Sequence, residues 1–302
     1  MLETPLVFIV FNRPETTRRV WERIRAVRPK RLFVIADGPR ANRPADAGLC
    51  AAVRRIVAEP DWPCEVTRDY SSPNLGAAAR VSSGLDRVFA QVEEAIILED
   101  DCLPDATFFP FCTELLARYR NEPRVAQIAG CSFQGPDAGG RTSYYFSRYP
   151  HGWGWATWRR AWRHYDHTMR AWREERGGTW LDRTIRDPAE RRIWAGSFDA
   201  TLAGEVDAWD YRWVLAVWRA EGISITPYRN LISNIGFAAD ATHTRGSSPW
   251  DSLPLSPMPF PLVHPADFTP DETADERTGR QVFRPPSWPA RAVRRARRLF
   301  SR

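Results

Sequence analysis

The 302-residue chain contains no run of 18 or more apolar residues, which excludes a membrane-spanning helix. Cysteine is sparse. Cys50, Cys64, Cys102, Cys112 and Cys131 are odd in number and show no CxxC spacing. A disulfide framework and a zinc site are therefore not expected, and the pattern fits a reducing cytosol. The opening MLETPLVFIVF lacks a basic n-region and a small-residue cleavage site, so its apolar stretch reads as a strand and not as a signal peptide. No internal repeat is visible. Acidic residues are missing altogether from 281–302, which carries Arg284, Arg291, Arg294, Arg295, Arg297, Arg298 and Arg302. Without those seven, the 43 basic residues fall to 36 against 37 acids, so the net charge of +6 belongs to the tail. A near-neutral body gives no reason to expect nucleic acid as a partner.

What is present is a regular alternation. Strand-like runs at 6–11, 31–37, 64–70, 95–101 and 125–130, mainly apolar except for CEVTRDY (64–70), are separated by helical patterns at about 15–28, 45–59, 74–92 and 108–120. In the fourth apolar run's predecessor, NLGAAARVSSGLDRVFAQV, the residues Leu75, Ala78, Val81, Leu85, Val88 and Phe89 recur at helical spacing. The other strands are almost continuously apolar, which predicts an α/β fold with a mostly parallel sheet covered on both faces. Ligands of such sheets bind outside the carboxyl ends of the strands. Phe11-Asn12-Arg13, Asp37-Gly38 and Glu99-Asp100-Asp101 all fall there. The second half is Trp-rich and less regular: HGWGWATWRRAW at 151–162, helical stretches near 189–203 and 210–221, a strand at 223–228, and a loop-like region over 239–275.

The stretch IILEDDCLP (96–104) is chemically the most pointed. Three adjacent carboxylates repel one another, so the cluster is costly unless water or a cation offsets it. It is either a solvated turn or a place where a divalent cation meets a polyphosphate.

Taken in order, NRP, DGP, NLG, LEDD, GWGW, WDYRW, SNIGF and DATHT resemble GT-A-fold glycosyltransferases of the bacterial family-2-like kind. They are also distantly similar to the N-acetylglucosaminyltransferase that initiates hybrid and complex N-glycans. The resemblance covers most of residues 5–245. It implies a GT-A, Rossmann-like domain over 1–262, with a nucleotide-sugar-binding half (1–130) and an acceptor-binding half (131–262). Residues 263–302 would then be an extended segment and basic tail. The implied activity is a metal-dependent, inverting hexosyl or N-acetylhexosaminyl transfer in polysaccharide or glycoconjugate synthesis. The donor is a nucleotide-diphosphate sugar, uridine-linked, and the acceptor a glycan or lipid-linked sugar.

By that resemblance Asp101 touches Mn²⁺ or Mg²⁺, while Glu99 and Asp100 hold ribose or sugar. Hard carboxylate oxygens suit either ion. Phe11 and Arg13 face the nucleotide, and Asp37 accepts from the base imide N–H. Asn74 is open to two readings, donor contact or N-cap of the helix it opens. Arg80, a turn further on, reaches the diphosphate. Asp210, in AWDYRW, is the expected catalytic base, its pKa raised by desolvation among aromatics; Asp207 competes for the role. Trp153 and Trp155 offer flat faces to the acceptor sugar, although either can equally be core. His243 in DATHT would be a second metal ligand on a loop that closes over the donor. The tail's Val293, Ala296, Leu299 and Phe300 share a helical face amid arginines, which suits an anionic membrane surface or a disordered basic tail. A sugar-phosphate nucleotidyltransferase is the enzyme alternative. Such enzymes carry a Gly-rich loop after the first strand, and FNRPETT contains no glycine. A non-catalytic sugar-binding protein is the other alternative.

Overall fold

A computed structural model describes residues 1–135, 142–176, 178–236 and 253–284. The first half runs β1 (Leu6–Val10), α1 (Pro14–Val27), β2 (Arg31–Ala36), α2 (Ala45–Ile56), β3 (Glu65–Tyr70), α3 (Ala77–Phe89), β4 (Glu94–Glu99), β5 (Cys102–Pro104), α4 (Phe108–Tyr119) and β6 (Val125–Ala129). The second half runs β7 (Tyr144–Ser147), β8 (Trp155–Trp158), α5 (Arg159–Trp162), α6 (Arg170–Glu175), α7 (Thr179–Thr184), α8 (Pro188–Leu202), α9 (Asp210–Arg219), β9 (Ile223–Pro227), β10 (Ile232–Asn234) and α10 (Glu272–Thr278).

Eight strands form one sheet in the order β3-β2-β1-β4-β8-β6-β9-β7. β3, β2, β1 and β4 are parallel neighbours, as are β6 and β9; β8 and β7 run antiparallel to theirs. The mostly parallel α/β sheet expected from the apolar runs is what the chain forms. All five residues of β1 are buried, which requires cover on both sides. Leu6, Phe8 and Val10 point into a core with α1, α2 and α4, while Val7 and Ile9 point into another with α3, α5 and α9. The alternation of side chains along the strand makes the two cores from one pentapeptide. β3 is one of the two edge strands. Its EVTRDY sequence is half-buried and charged, which blocks further strand addition.

Four strands, β5, β7, β8 and β10, are not among those expected from the sequence, and all but β5 come from the second half. WATW becomes β8, wedged between β4 and β6, with Ala156 opposite both Ile96 and Ile128. Its four residues are entirely buried, so they show no alternation to mark them as a strand. The segment after 262, expected to be extended, instead forms α10 and a π-helical turn (Gly279–Phe283). Asp275, fully buried, accepts from the Ser147 hydroxyl and from Arg148 at the end of β7, tying this segment to the far sheet edge. At the end of this segment Arg284 pairs with Asp187.

Candidate active site

The acidic turn sits where β4 leaves the sheet, beside the carboxyl end of β1. It is held from two sides. Phe11 N–H donates to Asp100 Oδ2 at 3.0 Å, and Arg13 Nη1 donates to Asp101 Oδ2 at 2.6 Å while lying 3.6 Å from Asp100 Oδ1. On the other side β10 pairs with β5, Asn234 opposite Cys102, and Ile235 N–H donates to the Asp101 carbonyl. Gly236 then passes so close that a Cβ there would lie 2.3 Å from Asp101 Oδ2. FNRP and SNIG thus flank LEDD, more than 80 and 130 residues away in sequence respectively.

The third contact comes from the WDY element. Trp209 Nε1–H donates to Glu99 Oε1 at 3.2 Å, and the buried Trp209 indole stacks on Trp155 with centroids 5.2 Å apart and planes 15° apart. Gly152, of GWGW, lies beneath the same indole, so close that a Cβ there would crowd the ring at 3.2 Å and lie 3.8 Å from Asp210 Cβ. Asp210 opens α9 and is exposed.

Electrostatics follow from this crowding. Burial raises the Glu99 pKa well above the usual carboxylate range, and Asp101, Asp100 and Asp210 push it further. Burial raises Asp100 too, with Arg13 and the Phe11 N–H pulling the other way. Burial opposes the charge on Arg13, but Asp100 and Asp101 more than offset it and hold its pKa above the ordinary value.

The turn's donor set fits a hard divalent cation. Asp101 Oδ1 is met by the Cys102 thiol, a weak donor, at 3.5 Å. Among the described residues no three His, Cys, Asp or Glu side chains group to cage a metal. Mg²⁺ and similar ions that bind through one or two carboxylates plus substrate phosphates need no such cage. His243 lies outside the described residues.

Several expected contacts are not presented as foreseen. Asp37 is buried and already committed: its oxygens accept from the N–H groups of Gly38 (2.8 Å), Leu75 (2.9 Å) and Gly76 (3.1 Å) and from Asn74 Nδ2 (2.9 Å). A base imide would have to displace one of these, so here the residue organises the NLG loop. Asn74 is not the N-cap of α3. Gly76 is, and the Asn74 amide donates to Asp37 and the Gly38 carbonyl. Arg80 is 3 % exposed and paired with Asp69 at 2.5 Å, bracing α3 to β3 in place of reaching outward. Trp155 is 0 % exposed and has no face to offer a sugar; it backs Trp209. Trp153 is half-buried, edge-on to Phe133. The desolvation expected at Asp210 is not present, because Trp209 and Trp213 turn inward while Asp210 turns out.

Asp207 proves to have another task. The chain before Asp210 is not helical, so the two acids do not share a helix face. Asp207 instead crosses to α3, where its oxygens accept from Ala77 N–H (2.8 Å) and Ala78 N–H (3.0 Å). It satisfies two of the orphan donors of a helix 130 residues earlier. Neither this bond nor the Trp209–Glu99 bond leaves a local signal in sequence, since each partner's role exists only once the sheet brings them together.

A cavity of about 430 Å³ lined by Glu175, Arg176, Thr179, Trp180, Arg183 and Arg219 shares no residue with this site. No described helix is long and apolar enough to cross a membrane.

No protein-family model matches the chain, and no curated protein does. Among solved structures it is similar to a 4-diphosphocytidyl-2C-methyl-D-erythritol synthase from Anaerococcus prevotii, at 8% identity over 74% of this chain and 88% of that one, with a TM-score of 0.38. CMP:2-keto-3-deoxy-manno-octonic acid synthetase complexed with CTP matches at 12% identity over 74% of this chain and 89% of that one, TM-score 0.34. Mouse xyloside xylosyltransferase 1 matches at 10% identity over 71% and 81%, TM-score 0.32. Likeness this loose carries no argument about activity, which rests on the residues themselves.

Proposed function

We propose that the protein is a metal-dependent, inverting glycosyltransferase that moves a sugar from a uridine-linked nucleotide-diphosphate donor to a glycan or lipid-linked acceptor. The observation that carries this reading is the meeting of FNRP, SNIG, GWGW and WDY around the LEDD turn at the carboxyl edge of a parallel sheet. Ligands of α/β sheets sit at that edge. In this reading Phe11, Arg13, Glu99 and Asp100 contact the donor. A guanidinium beside the turn suits a diphosphate, which it can grip bidentately. Asp101, with His243 as a further ligand, would hold a Mn²⁺ or Mg²⁺ ion, which would supply positive charge to offset that of the departing diphosphate.

Asp210 is the base. Its carboxylate takes the acceptor hydroxyl proton as that oxygen attacks the anomeric carbon from the face opposite the leaving nucleoside diphosphate. Because Asp210 is exposed, the desolvation that would raise its pKa has to come from the bound sugars. Trp153 stays an acceptor-side candidate, half-buried and near Phe133. Attachment to an anionic membrane would fall to the tail at 281–302, of which 285–302 lie outside the described residues; deleting the tail should abolish partitioning onto anionic vesicles while leaving transfer to a water-soluble acceptor intact.

A thermal-shift screen of nucleotide sugars with and without Mn²⁺ tests the reading. One uridine-linked sugar should raise the melting temperature, and more so with the ion, by mass action. Stabilisation by a nucleoside triphosphate together with a sugar phosphate, and by no sugar nucleotide, would indicate nucleotidyl transfer and overturn it. Asp210→Asn should abolish transfer with donor binding nearly unchanged; loss of donor binding would reassign the residue.

A further inference from the structure

Three carboxylates share the turn after β4, and Arg13 reaches two of them, at 2.6 Å from Asp101 and 3.6 Å from Asp100. The guanidinium is only partly exposed, with 22 % of its side-chain surface in solvent, and its partners still less, at 8 % and 16 %. Charges this poorly hydrated are not screened away, so the cluster carries a built-in counter-ion in the absence of any ligand. That counter-ion sits on the residue to which the proposed function gives the metal. A divalent ion on a carboxylate oxygen would stand about 2 Å from it. With Arg13 on the neighbouring oxygen of the same group, two positive charges would face each other within a few ångströms.

We infer that Arg13 and the divalent cation are alternative counter-ions of Asp101: the guanidinium neutralises the turn in the donor-free protein, and the metal displaces it when it arrives with a sugar nucleotide. This rests on the metal-dependent reading above. The displaced guanidinium has somewhere to go, because the incoming diphosphate presents oxygens that match its fork. Metal and donor are then coupled through one side chain. The ion alone pays to evict Arg13, whereas the ion with a diphosphate exchanges one partner for another, so each ligand strengthens the other by the same factor. The exchange needs only a rotation of the side chain: Arg13 is the N-cap of α1, and its carbonyl, which accepts from the Thr17 N–H at 3.0 Å and the Thr17 hydroxyl at 2.6 Å, keeps the backbone in place.

The test is Mn²⁺ binding by the full chain without nucleotide, followed by the free-ion electron paramagnetic resonance signal. Arg13→Gln should bind Mn²⁺ at least about tenfold more tightly than the unaltered protein, since the competing charge is gone, while Arg13→Lys should bind as weakly as the unaltered protein. Adding UDP should strengthen Mn²⁺ binding less in Arg13→Gln than in the unaltered protein. Should Arg13→Gln fail to fold for want of its counter-ion, Arg13→Gln/Asp100→Asn compared with Asp100→Asn alone asks the same question with one acid removed. Equal Mn²⁺ affinity with and without Arg13 would overturn the exchange and leave the metal reading standing. Absence of Mn²⁺ binding in every variant, with or without UDP, would remove both.

Discussion

The contact between Asp207 and the start of α3 makes a quantitative prediction about two residues 131 positions apart in sequence. Gly76, the N-cap of α3, has φ 82° and ψ 161°, a region that only glycine occupies without strain. A Cβ there would lie 2.4 Å from Asp207 Oδ2, an impossible distance, so the carboxylate would have to leave. Gly76→Ala therefore carries about 1–3 kcal/mol of backbone strain plus the loss of the cap, about 1 kcal/mol at a solvent-exposed position. Asp207→Ala loses the cap alone, about 1 kcal/mol. The cap cannot be lost twice. The double variant should thus cost about 1 kcal/mol less than the two single costs added together, a coupling well above the ~0.3–0.5 kcal/mol scatter of independent sites. Equilibrium urea unfolding at constant m measures all four corners of the cycle. A double variant whose cost equals the sum within that scatter would mean that the carboxylate does not rest over Gly76, and the tie between the NLG loop and the WDY element would go with it.

Two further outcomes follow from side-chain placement. Trp155→Ala should cost about 3–5 kcal/mol, as expected for emptying a fully enclosed aromatic site, whereas the half-buried Trp153 should lose clearly less; equal losses in chemical denaturation would contradict the assignment of Trp155 to the core. Asp46, joined to Arg40 and Asn12, has its pKa lowered to about 2 from an unfolded value of 3.8, chiefly by the Arg40 hydrogen bond. A depressed acid stabilises the fold above its unfolded pKa and loses that contribution as pH falls from 3.8 through 2. Asp46→Asn should therefore cost about 1–2 kcal/mol at pH 7, part of the full shift being screened at the exposed edge of Arg40, and almost nothing near pH 2. A pH-independent difference in unfolding midpoint would show that the charge is not what matters.

The first half was readable because its central strands are almost wholly apolar and short. LVFIV, RLFVIA and AIILE could only be central strands, and each ended where a polar cluster began. The clustering of FNR, DGP and LEDD at one edge followed from parallel topology alone. The internal economy of that edge did not. Asp37 looked like a ligand-facing acid, yet three backbone N–H groups and the Asn74 amide consume it, a demand created by a loop 37 residues later. The ion pair that engages Arg80, and the stack on Trp209 that decides between the two readings of Trp155, are likewise tertiary contacts that composition does not reveal. WATW concealed a strand because burial on both faces erases the alternation by which a strand is recognised.

The placement of β8 bears on how this protein could be re-engineered. An acceptor specificity is often sought by trading one half of a protein for that of a relative, with a junction near the middle of the chain. Here a junction after β6 would leave β4, which delivers the acidic turn, unpaired along one side, because its neighbour there is supplied by residues 155–158. Any exchange has to carry Trp155–Trp158 with the recipient and begin beyond it, which makes α5 the earliest workable seam.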